Sequence, residues 1–431
     1  MDYKLDNKDQ SKGSLPIAWN LKRLKDIAFL VTDRINVKRI SLEDYVSTDN
    51  LLPNMGGKEK AAKLPSNGNV TRFEKGDILL SNIRPYFKKI WLSDNVGGCS
   101  NDVLVIRSKN EISNSYLYYC LQQDKFFDFV TQTSRGTKMP RGDKDAIFNF
   151  VFPIPPLNEQ KAIAKILSDL DAKIELNQKM NKTIEAIAQA IFKHWFIDFE
   201  FPNEEGKPYK SSGGEMVDSE LGEIPKGWEV KKLRDVLREI SSGSRPKGGI
   251  DKKLCNGIPS IGAENINGLG HYDFSKTKYV TDGFFEKNQK GIVMDRDVLL
   301  YKDGAQLGRK TIFGGGFPFI KCMVNEHVFI LRVREELRQS YLYFWLDRND
   351  VTDAIRNLNT NSAQPGLNKE AVGSLRILVP LLHILSEFDL LISFLLNRIF
   401  NNSLQSKTID EIRDLLLPKL VSGKIRVPLE E

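Results

Sequence analysis

Apolar residues recur every seven positions in two long stretches of the chain. In the first stretch, one core position of the heptad is filled by Ile163, Leu170, Ile184 and Ile191, and the other by Ile166, Met180 and Ile187. A helix with an apolar seam of this period packs along another helix. The pattern predicts a helix from Asn158 to Phe196, which would be roughly 58 Å long at about 1.5 Å per residue.

The second stretch repeats the first one 225 positions later. Phe388, Leu395, Ile409 and Leu416 fill one core position of this heptad pattern, and Leu391 and Ile412 fill the other. One asparagine interrupts each seam at the same place, Asn177 in the first and Asn402 in the second. Because a buried Asn fixes the register of paired helices, we expect an antiparallel coiled coil in which these two side chains face each other. The alternative is that each helix packs separately on its own globule.

The segments before the two helices also match each other. Strand-like runs such as Val103–Arg107 and Val328–Val333 alternate with Gly-, Asn- and Pro-rich turns, and Ser115–Tyr118 returns as Ser340–Tyr343 at the same offset of 225. The constant offset indicates a tandem duplication. The predicted fold class is α+β, with two similar α/β globules joined by two long antiparallel helices in a pseudo-twofold arrangement. The predicted boundaries are 1–156 (first globule), 157–200 (first helix), 201–224 (linker), 225–380 (second globule) and 381–431 (second helix and tail).

Length and composition limit the kind of protein. A chain of 431 residues, with 41% hydrophobic and 28% charged residues, is too long for one hydrophobic core and has the composition of a globular protein. The net charge of +7 permits a polyanionic partner. The four cysteines form no CxxC pair, which is typical of reduced intracellular thiols. The apolar stretch 377–400 contains Glu387, Asp389 and Arg398, which disfavour a membrane helix, so we expect a cytoplasmic protein without membrane contact.

The motifs of the common catalytic classes are missing from the sequence. There is no GxxxxGKS/T loop for ATP. The only Pro-Pro pair, Pro155–Pro156, has apolar neighbours, unlike the Asn/Asp-Pro-Pro-Tyr/Phe motif of an amino-methyltransferase. The four histidines share no metal-ligand spacing with cysteine. We therefore expect no catalytic residue, no metal site and no cofactor in the chain itself.

Both globules carry turns in which cations, amides and an aromatic residue are close together. Lys and Arg bind phosphates, and Arg, Asn and Gln can make paired hydrogen bonds to base edges. Turns of this kind at equivalent places in both copies indicate double-stranded DNA as a partner. The residues expected to contact DNA are Asn50, Arg84, Tyr86, Lys88, Ser134, Arg135, Thr137 and Lys138 in the first globule, and Arg245, Lys247, Asn265, Lys302, Gln306, Arg309, Ser362 and Gln364 in the second.

Three strings give the chain a resemblance to a known family. Residues 155–160 read PPLNEQ where the first helix begins, residues 194–200 read HWFIDFE where it ends, and residues 220–228 read ELGEIPKGW before the second globule. With its two globules and two matching helices, the chain resembles the specificity subunit of type I restriction–modification systems over nearly its whole length. The second helix departs from the family pattern, because it lacks the Leu-x-Glu-Gln opening.

The resemblance implies a division of labour within a complex. Each globule would be a target-recognition domain that reads one half of a bipartite, asymmetric DNA target, and the helices would set the spacer and dock two methyltransferase subunits. Restriction/translocase subunits would join the full complex. S-adenosylmethionine, ATP and Mg²⁺ would bind to these partners, and the chain would be non-catalytic. Two other interpretations remain open: a monomeric restriction–methylation enzyme, which needs the missing motifs, and a coiled-coil adaptor that binds no DNA, which leaves the paired basic turns unexplained.

Overall fold

The computed structural model describes residues 15–251, 253–288, 290–358 and 366–428. The chain divides into two compact units: Met1–Lys173 with Ile409–Glu431, called unit 1, and Ile174–Thr408, called unit 2. Each unit contains one globule with its own large apolar cluster and one part of each long helix. Within the described ranges, no helix is both long enough and apolar enough to cross a membrane.

Unit 1 is built from two four-stranded sheets and a two-stranded ladder. Its strands are β1 (Asn20–Arg23), β2 (Ala28–Leu30), β3 (Arg34–Asn36), β4 (Tyr45–Val46), β5 (Asn69–Phe73), β6 (Ile78–Ser81), β7 (Ile90–Leu92), β8 (Gly97–Cys99), β9 (Val103–Ser108) and β10 (Val151–Ile154). The sheets have the orders β2-β9-β6-β7 and β3-β5-β8-β4, and β1 pairs antiparallel with β10. Strand β6 is buried along its whole length, as the apolar run Ile78–Leu80 predicts for a central strand.

The helices of unit 1 pack on these sheets, and polar side chains fix where two of them begin. They are α1 (Leu24–Ile27), α2 (Asn114–Leu121), α3 (Asp124–Gln132), α4 (Lys144–Asn149) and the first part of α5 (Leu157–Phe196). Ser113 accepts a hydrogen bond from the backbone N–H of Tyr116 and thereby caps α2. Asp143 accepts from the first backbone N–H groups of α4 in the same way.

Unit 2 repeats this architecture. Its strands are β11 (Met216–Ser219), β12 (Gly222–Pro225), β13 (Glu229–Lys232), β14 (Leu237–Ser242), β15 (Ile258–Ile261), β16 (Lys278–Val280), β17 (Val298–Tyr301), β18 (Lys310–Ile312), β19 (Met323–Val324), β20 (Val328–Val333) and β21 (Arg376–Val379). Its helices are α6 (Leu233–Val236), α7 (Asp282–Lys287), α8 (Gln339–Asp347), α9 (Asn349–Asn357), α10 (Lys369–Ser374) and α11 (Leu382–Val421), which ends in unit 1. The sheet β14-β20-β17-β18 corresponds to β2-β9-β6-β7, and the pair β13–β21 corresponds to β1–β10.

The two units also share a buried ion pair at matching positions. The Arg107 guanidinium in β9 lies 2.7 Å from Asp77, the residue before β6. In unit 2, Arg332 in β20 lies 2.6 Å from Asp297, the residue before β17. Both carboxylates are almost fully buried. The α+β fold and the tandem duplication predicted from the constant offset are therefore confirmed.

The 40-residue helices α5 and α11 pair with each other and run antiparallel. Within unit 2, Asn181 contacts Ser403, and further along α5 the ring of Phe196 lies 4.8 Å from that of Phe388. Residue numbers therefore rise along α5 where they fall along α11, so the two helices are antiparallel, which confirms the predicted pairing. The alternative, in which a long helix packs on a globule, is also partly present, because Phe192 of α5 packs against α8.

One of the two predicted seam positions is wrong by one residue. Ile166 and Ile187 of α5, and Leu391 and Ile412 of α11, are exposed. The residues that are buried instead follow three of them directly and are Leu167, Ala188 and Ile392. At these three places two adjacent residues are apolar, so either one could face the partner helix. The seven-residue period alone therefore does not decide which of the two is buried.

The buried asparagines pair differently from the prediction. Asn177 and Asn402 are both buried, and Asn177 Nδ2 donates to the backbone carbonyl of Asn402 at 3.3 Å rather than to its side chain. Asn402 Nδ2 donates instead to Asn181 Oδ1 at 2.9 Å, and Asn177 Nδ2 also donates to Gln405 Oε1 at 3.0 Å. The corrected seam explains this pairing, since it contains Asn181 where the predicted seam had Met180.

The segment 201–224, predicted as a linker, is packed onto unit 2. The ring of Phe201 stacks on Trp228 with centroids 5.0 Å apart and on Tyr209 with centroids 4.6 Å apart. Strands β11 and β12 form an antiparallel hairpin in the same segment. Because stacked aromatic rings bury large apolar areas, part of this segment belongs to the core of the globule.

Candidate nucleic-acid interface

Two loops of the first globule lie side by side. The turn 84–88 follows β6, and the loop 134–141 lies between α3 and α4. The backbone N–H of Arg84 donates to the carbonyl of Pro140 at 2.8 Å, and Ile83 forms an antiparallel bridge with Arg141. We call the two loops together loop surface 1. It contains every predicted DNA contact of this globule except Asn50.

Loop surface 1 exposes cations and small polar groups. The side chains of Arg135 and Arg141 are largely exposed, and so are Thr137 and Lys138. Some of the cations have carboxylate partners, in the pairs Arg135–Asp143, Arg141–Asp102 and Lys88–Asp124. Ion pairs at exposed positions contribute little stability. A DNA phosphate can therefore replace the carboxylate at small cost.

Asp143 anchors the loop 134–141 at its C-terminal end. Its carboxylate accepts the backbone N–H groups of Asp145 at 3.0 Å and Ala146 at 3.2 Å, where α4 begins, and it pairs with Arg135. The hydrogen bond from Ala146, together with the charge of Arg135, holds the pKa of Asp143 below its usual range. The carboxylate therefore stays ionised and remains a partner for the exposed Arg135 side chain.

The second globule brings its basic loops together through similar backbone contacts. The N–H of Leu367 donates to the carbonyl of Lys302 at 2.8 Å, and the N–H of Lys302 donates to the carbonyl of His327 at 3.1 Å. The N–H of Gly243 donates to the carbonyl of Asn325 at 3.2 Å. We call these loops together, residues 243–247, 302–309 and 325–327, loop surface 2.

Loop surface 2 contains five of the predicted DNA contacts, which are Arg245, Lys247, Lys302, Gln306 and Arg309. Gln306 and Lys247 are exposed. Arg309 donates to Asn267 Oδ1 at 3.2 Å, and Arg245 lies 2.8 Å from Glu326. Lys302 Nζ lies 4.8 Å from the centre of the Phe329 ring, which holds the aliphatic part of the lysine in place.

Two predicted DNA contacts need correction, because their side chains are buried. The amide of Asn50 donates to the carbonyls of Tyr45 and Glu59, and Asn265 accepts the N–H of Gly262. Both side chains close backbone turns, as asparagine often does, so we remove them from the interface. The hydroxyl of Ser134 donates to a nearby backbone carbonyl. The other two predicted contacts, Ser362 and Gln364, lie outside the described residues.

The structure adds groups that sequence reasoning missed. Phe87 lies beside Tyr86, with ring centroids 4.7 Å apart. His327 lies between two carboxylates, with Nδ1 2.8 Å from Asp303 and Nε2 3.4 Å from Glu326. A carboxylate on a DNA-facing surface can accept a hydrogen bond from the amino group of cytosine. Phe87 follows Tyr86 directly in the sequence, whereas the group around His327 is revealed only where separate loops meet, because no local motif marks it.

An open cleft of 840 Å³ lies beside loop surface 2 and is lined by Arg309 and Lys310. Lys310 Nζ donates to the carbonyl of Leu346 at 2.7 Å and lies 3.5 Å from Asp347. Burial lowers the pKa of Lys310 and raises that of Asp347. Since the lysine bonds within the fold, we interpret this pair as structural. The described part of the chain contains no group of three or more His, Cys, Asp or Glu side chains placed to hold a metal ion.

Known proteins share this organisation. The family model described as type I restriction modification DNA specificity domain matches residues 16–186 and again 225–413. The chain is 27% identical to the type I restriction enzyme MjaIX specificity subunit of Methanocaldococcus jannaschii, over 99% of this chain and 98% of that protein. It is 24% identical to the type I restriction enzyme HindI specificity subunit of Haemophilus influenzae, over 82% of this chain and 87% of the relative. The crystal structure of the type I restriction-modification system S subunit from M. genitalium has a similar fold, with a TM-score of 0.56 and 14% identity over 96% of this chain and 98% of that one.

Two copies of one α+β domain, each with a basic loop surface and each joined to the same pair of helices, define a DNA-recognition protein with two reading domains. The two family matches cover these domains together with most of both long helices. The chain belongs to the family of type I restriction–modification DNA specificity domains. The resemblance inferred from the strings at the ends of α5 is thereby confirmed.

Proposed function

We propose that the chain is the DNA-reading, non-catalytic subunit of a type I restriction–modification complex, and that each globule reads one half of a bipartite target. The equivalence of the turn 84–88 in loop surface 1 and the turn 304–308 in loop surface 2 carries this proposal. One basic loop alone is commonly a solvated turn, but a turn repeated at the same place of a duplicated fold, with exposed cations on both loop surfaces, supports a shared ligand. The side chains at equivalent places differ, with Tyr86 in one and Gln306 in the other, so the two half-targets would differ in sequence.

The charges of both surfaces suit a DNA backbone. Arg135 and Arg141 in the first and Lys247 and Arg309 in the second are exposed. Lys and Arg position a protein by contacts to phosphates, and they read bases where they reach the groove edges. Each phosphate contact releases condensed counterions. The logarithm of the binding constant therefore falls linearly with the logarithm of the salt concentration, with a slope of about −0.9 per contact.

The helix pair offers a surface for protein partners. Leu390 and Phe394 of α11 are 79% and 72% exposed, and Leu391 beside them is also exposed. Residues three and four positions apart share one helix face, so these side chains form an apolar patch, which we call the α11 patch. Apolar patches of this kind mark protein contacts. Methyltransferase subunits would dock on the helix pair, and S-adenosylmethionine, ATP and Mg²⁺ would bind to them and to restriction subunits.

The helices would also set the spacer between the half-targets. At about 1.5 Å per residue, the 40 residues of α5 make a rod of roughly 60 Å, comparable to about 18 base pairs at roughly 3.4 Å each. A helix braced along its length by a second helix is stiff. Such a rod would fix the number of unread base pairs.

DNA recognition is tested with the chain assembled with its methyltransferase partner. Sequencing of DNA methylated by this complex gives the target, and mobility shifts at several salt concentrations give the affinity. Arg309→Ala should weaken or relax only one half of the target, by about 1–3 kcal/mol if it contacts a base. Lys22→Ala, which removes an exposed cation from β1 outside both loop surfaces, is the control and should change neither property. A complex that methylates DNA without sequence preference would contradict the proposal.

Docking is tested separately. Phe394→Glu should abolish co-purification of the methyltransferase, because a carboxylate would be buried without a partner in the interface. Ile320→Glu places the same charge at another exposed apolar position and should leave assembly intact. Assembly that survives Phe394→Glu combined with Leu390→Glu would show that the α11 patch is not the docking surface.

A further inference from the structure

The turn 84–88 has a backbone conformation that is unfavourable for its first and last residues. Arg84 and Lys88 flank it in the left-handed region, at φ values of 49° and 51°, which is costly for a residue with a Cβ atom. The second globule has Gly304 and Gly308 at the two equivalent places, at φ values of 77° and 88°, where no such cost arises. The first globule therefore keeps long side chains where glycine would build the turn without strain.

Backbone hydrogen bonds establish that the two turns are equivalent. The N–H of Ser81 donates to the carbonyl of Lys89 at 3.0 Å, and the N–H of Tyr301 donates to that of Arg309 at 2.8 Å, so both loops are closed in the same way around seven residues. Phe87 and Leu307 thus occupy the same position. Phe87, however, is 39% exposed, whereas Leu307 is 6% exposed and packs in the core. The first globule has turned an apolar residue of this position outward.

A neighbouring loop braces the turn. The N–H of Asn54 donates to the carbonyl of Phe87 at 2.8 Å, and the N–H of Met55 donates to that of Lys88 at 2.9 Å. Asn54 and Met55 are themselves left-handed, at φ values of 54° and 60°. Strained backbone persists only where the surrounding structure over-determines it, and it concentrates at functional sites. The bracing fixes the direction in which the turn presents its side chains.

The turn presents two aromatic rings to solvent. Tyr86 and Phe87 are 47% and 39% exposed, and their rings are in contact. Since the rest of the protein covers about half of each side chain, the pair forms a blunt apolar ridge rather than a projecting wedge. We call it the aromatic ridge. The exposed cations Arg135, Lys138 and Arg141 belong to the same loop surface, and their charge is complementary to DNA.

We propose that the aromatic ridge recognises a thymine in one half of the target through the C5 methyl group of the base. This methyl is the apolar group that base pairs display in the major groove, and apolar side chains read it by contact. Gln306, at the position of Tyr86 in the second globule, carries instead an amide of the kind that pairs with adenine. The inference rests on the proposed function, because it requires loop surface 1 to face DNA.

Deoxyuridine lacks only the methyl group of thymidine, so it tests this contact directly. The target is first read from DNA methylated by the complex of the chain and its methyltransferase partner. Each thymine of the half assigned to the first globule is then replaced in turn, and the affinity is measured by fluorescence anisotropy. One replacement should weaken binding about four-fold, which corresponds to roughly 0.8 kcal/mol for one methyl-sized group.

Substitution of the ridge should remove this response. The double variant with Tyr86→Ala and Phe87→Ala should bind the normal target more weakly and should no longer distinguish deoxyuridine from thymidine. Both side chains are half-exposed, so the fold should survive, which the melting temperature checks. Gln306→Ala is the matched control at the equivalent turn. It should weaken binding and keep the four-fold response to deoxyuridine.

Several outcomes would overturn the assignment while leaving the proposed function intact. They are a first half-target without thymine, wild-type binding that is indifferent to every deoxyuridine, and a full deoxyuridine response in the double alanine variant. A rise in 2-aminopurine fluorescence on binding, without a deoxyuridine response, would mean that the rings unstack bases as a wedge. A complex that prefers no DNA sequence would instead refute the proposed function itself.

Discussion

The buried amides between α5 and α11 allow a quantitative test of the helix seam. Asn402 Nδ2 donates to Asn181 Oδ1 at 2.9 Å, and both side chains are buried. Asn402→Leu alone leaves the Asn181 oxygen without this donor, and Asn181→Leu alone leaves the Asn402 amide without this acceptor. Each single substitution should lower the free energy of unfolding of unit 2 by about 1–3 kcal/mol, the usual cost of an unpaired buried polar group.

The double substitution should behave differently. With leucine at both positions the donor and the acceptor disappear together, and two apolar side chains enter the seam. The double variant also loses the hydrogen bond from Asn181 to Ser403, so it should lose clearly less stability than the sum of the two single losses, with a coupling energy above about 1 kcal/mol. For a unit of this size, about 2–4 °C corresponds to 1 kcal/mol, so each single variant should melt roughly 2–12 °C lower.

Thermal unfolding followed by circular dichroism measures these differences, and hydrogen exchange assigns the transition to unit 2. Gln178→Leu is the control, because Gln178 is exposed on the same helix and its substitution should change stability by less than about 0.5 kcal/mol. If the losses of the two single variants simply add in the double variant, the two amides do not act as a pair. The seam described for α5 and α11 would then be refuted.

Asp297→Asn should lower the free energy of unfolding, measured by calorimetry, by roughly 3 kcal/mol. Asp77→Asn should lower it by less, because Arg107 is less deeply buried than Arg332; equal effects would contradict this. Lys88→Gly should stabilise unit 1 by about 1 kcal/mol, since glycine removes left-handed strain, and a lower melting temperature would show that no strain is stored there. Lys138→Ala should reduce the slope of log affinity against log salt by about 1 and leave the target sequence unchanged; a changed target would identify a base contact instead. One heptad added to both α5 and α11 should lengthen the unread spacer by up to about three base pairs at about 1.5 Å per residue, and an unchanged spacer in the methylated DNA would reject the helices as the ruler.

The architecture could be predicted because its signals are repeated along the chain. One offset of 225 relates Ser115–Tyr118 to Ser340–Tyr343, and both long helices carry the same apolar period. The seam was wrong by one position, since Ile187 and Ala188 are both apolar and either could face a partner. Burial against the globule decides between them, and sequence periodicity does not contain that information.

The interface was only partly predictable, because exposure depends on distant backbone contacts. The basic composition of the loop 134–141 is local, so it can be predicted from the sequence. Its contact with the turn 84–88 arises from a bridge between Ile83 and Arg141, far apart in the chain. Asn50 resembles a base-reading amide in sequence, but its bond to the carbonyl of Glu59 buries it. Contacts between residues that are distant in the sequence do not show in the local sequence pattern, so they could not be predicted from it.

The two-stranded ladders have a consequence for how such proteins diversify. In the first globule Asn20 of β1 lies opposite Ile154 of β10, and in the second Glu229 of β13 lies opposite Val379 of β21. Since each ladder is antiparallel, the chain enters and leaves each globule at adjacent points. A gene segment encoding a whole globule can therefore be exchanged at two junctions within one short ladder, while α5 and α11 keep their sequence. Recombination of whole domains would then create new DNA specificities without disturbing the helix pair.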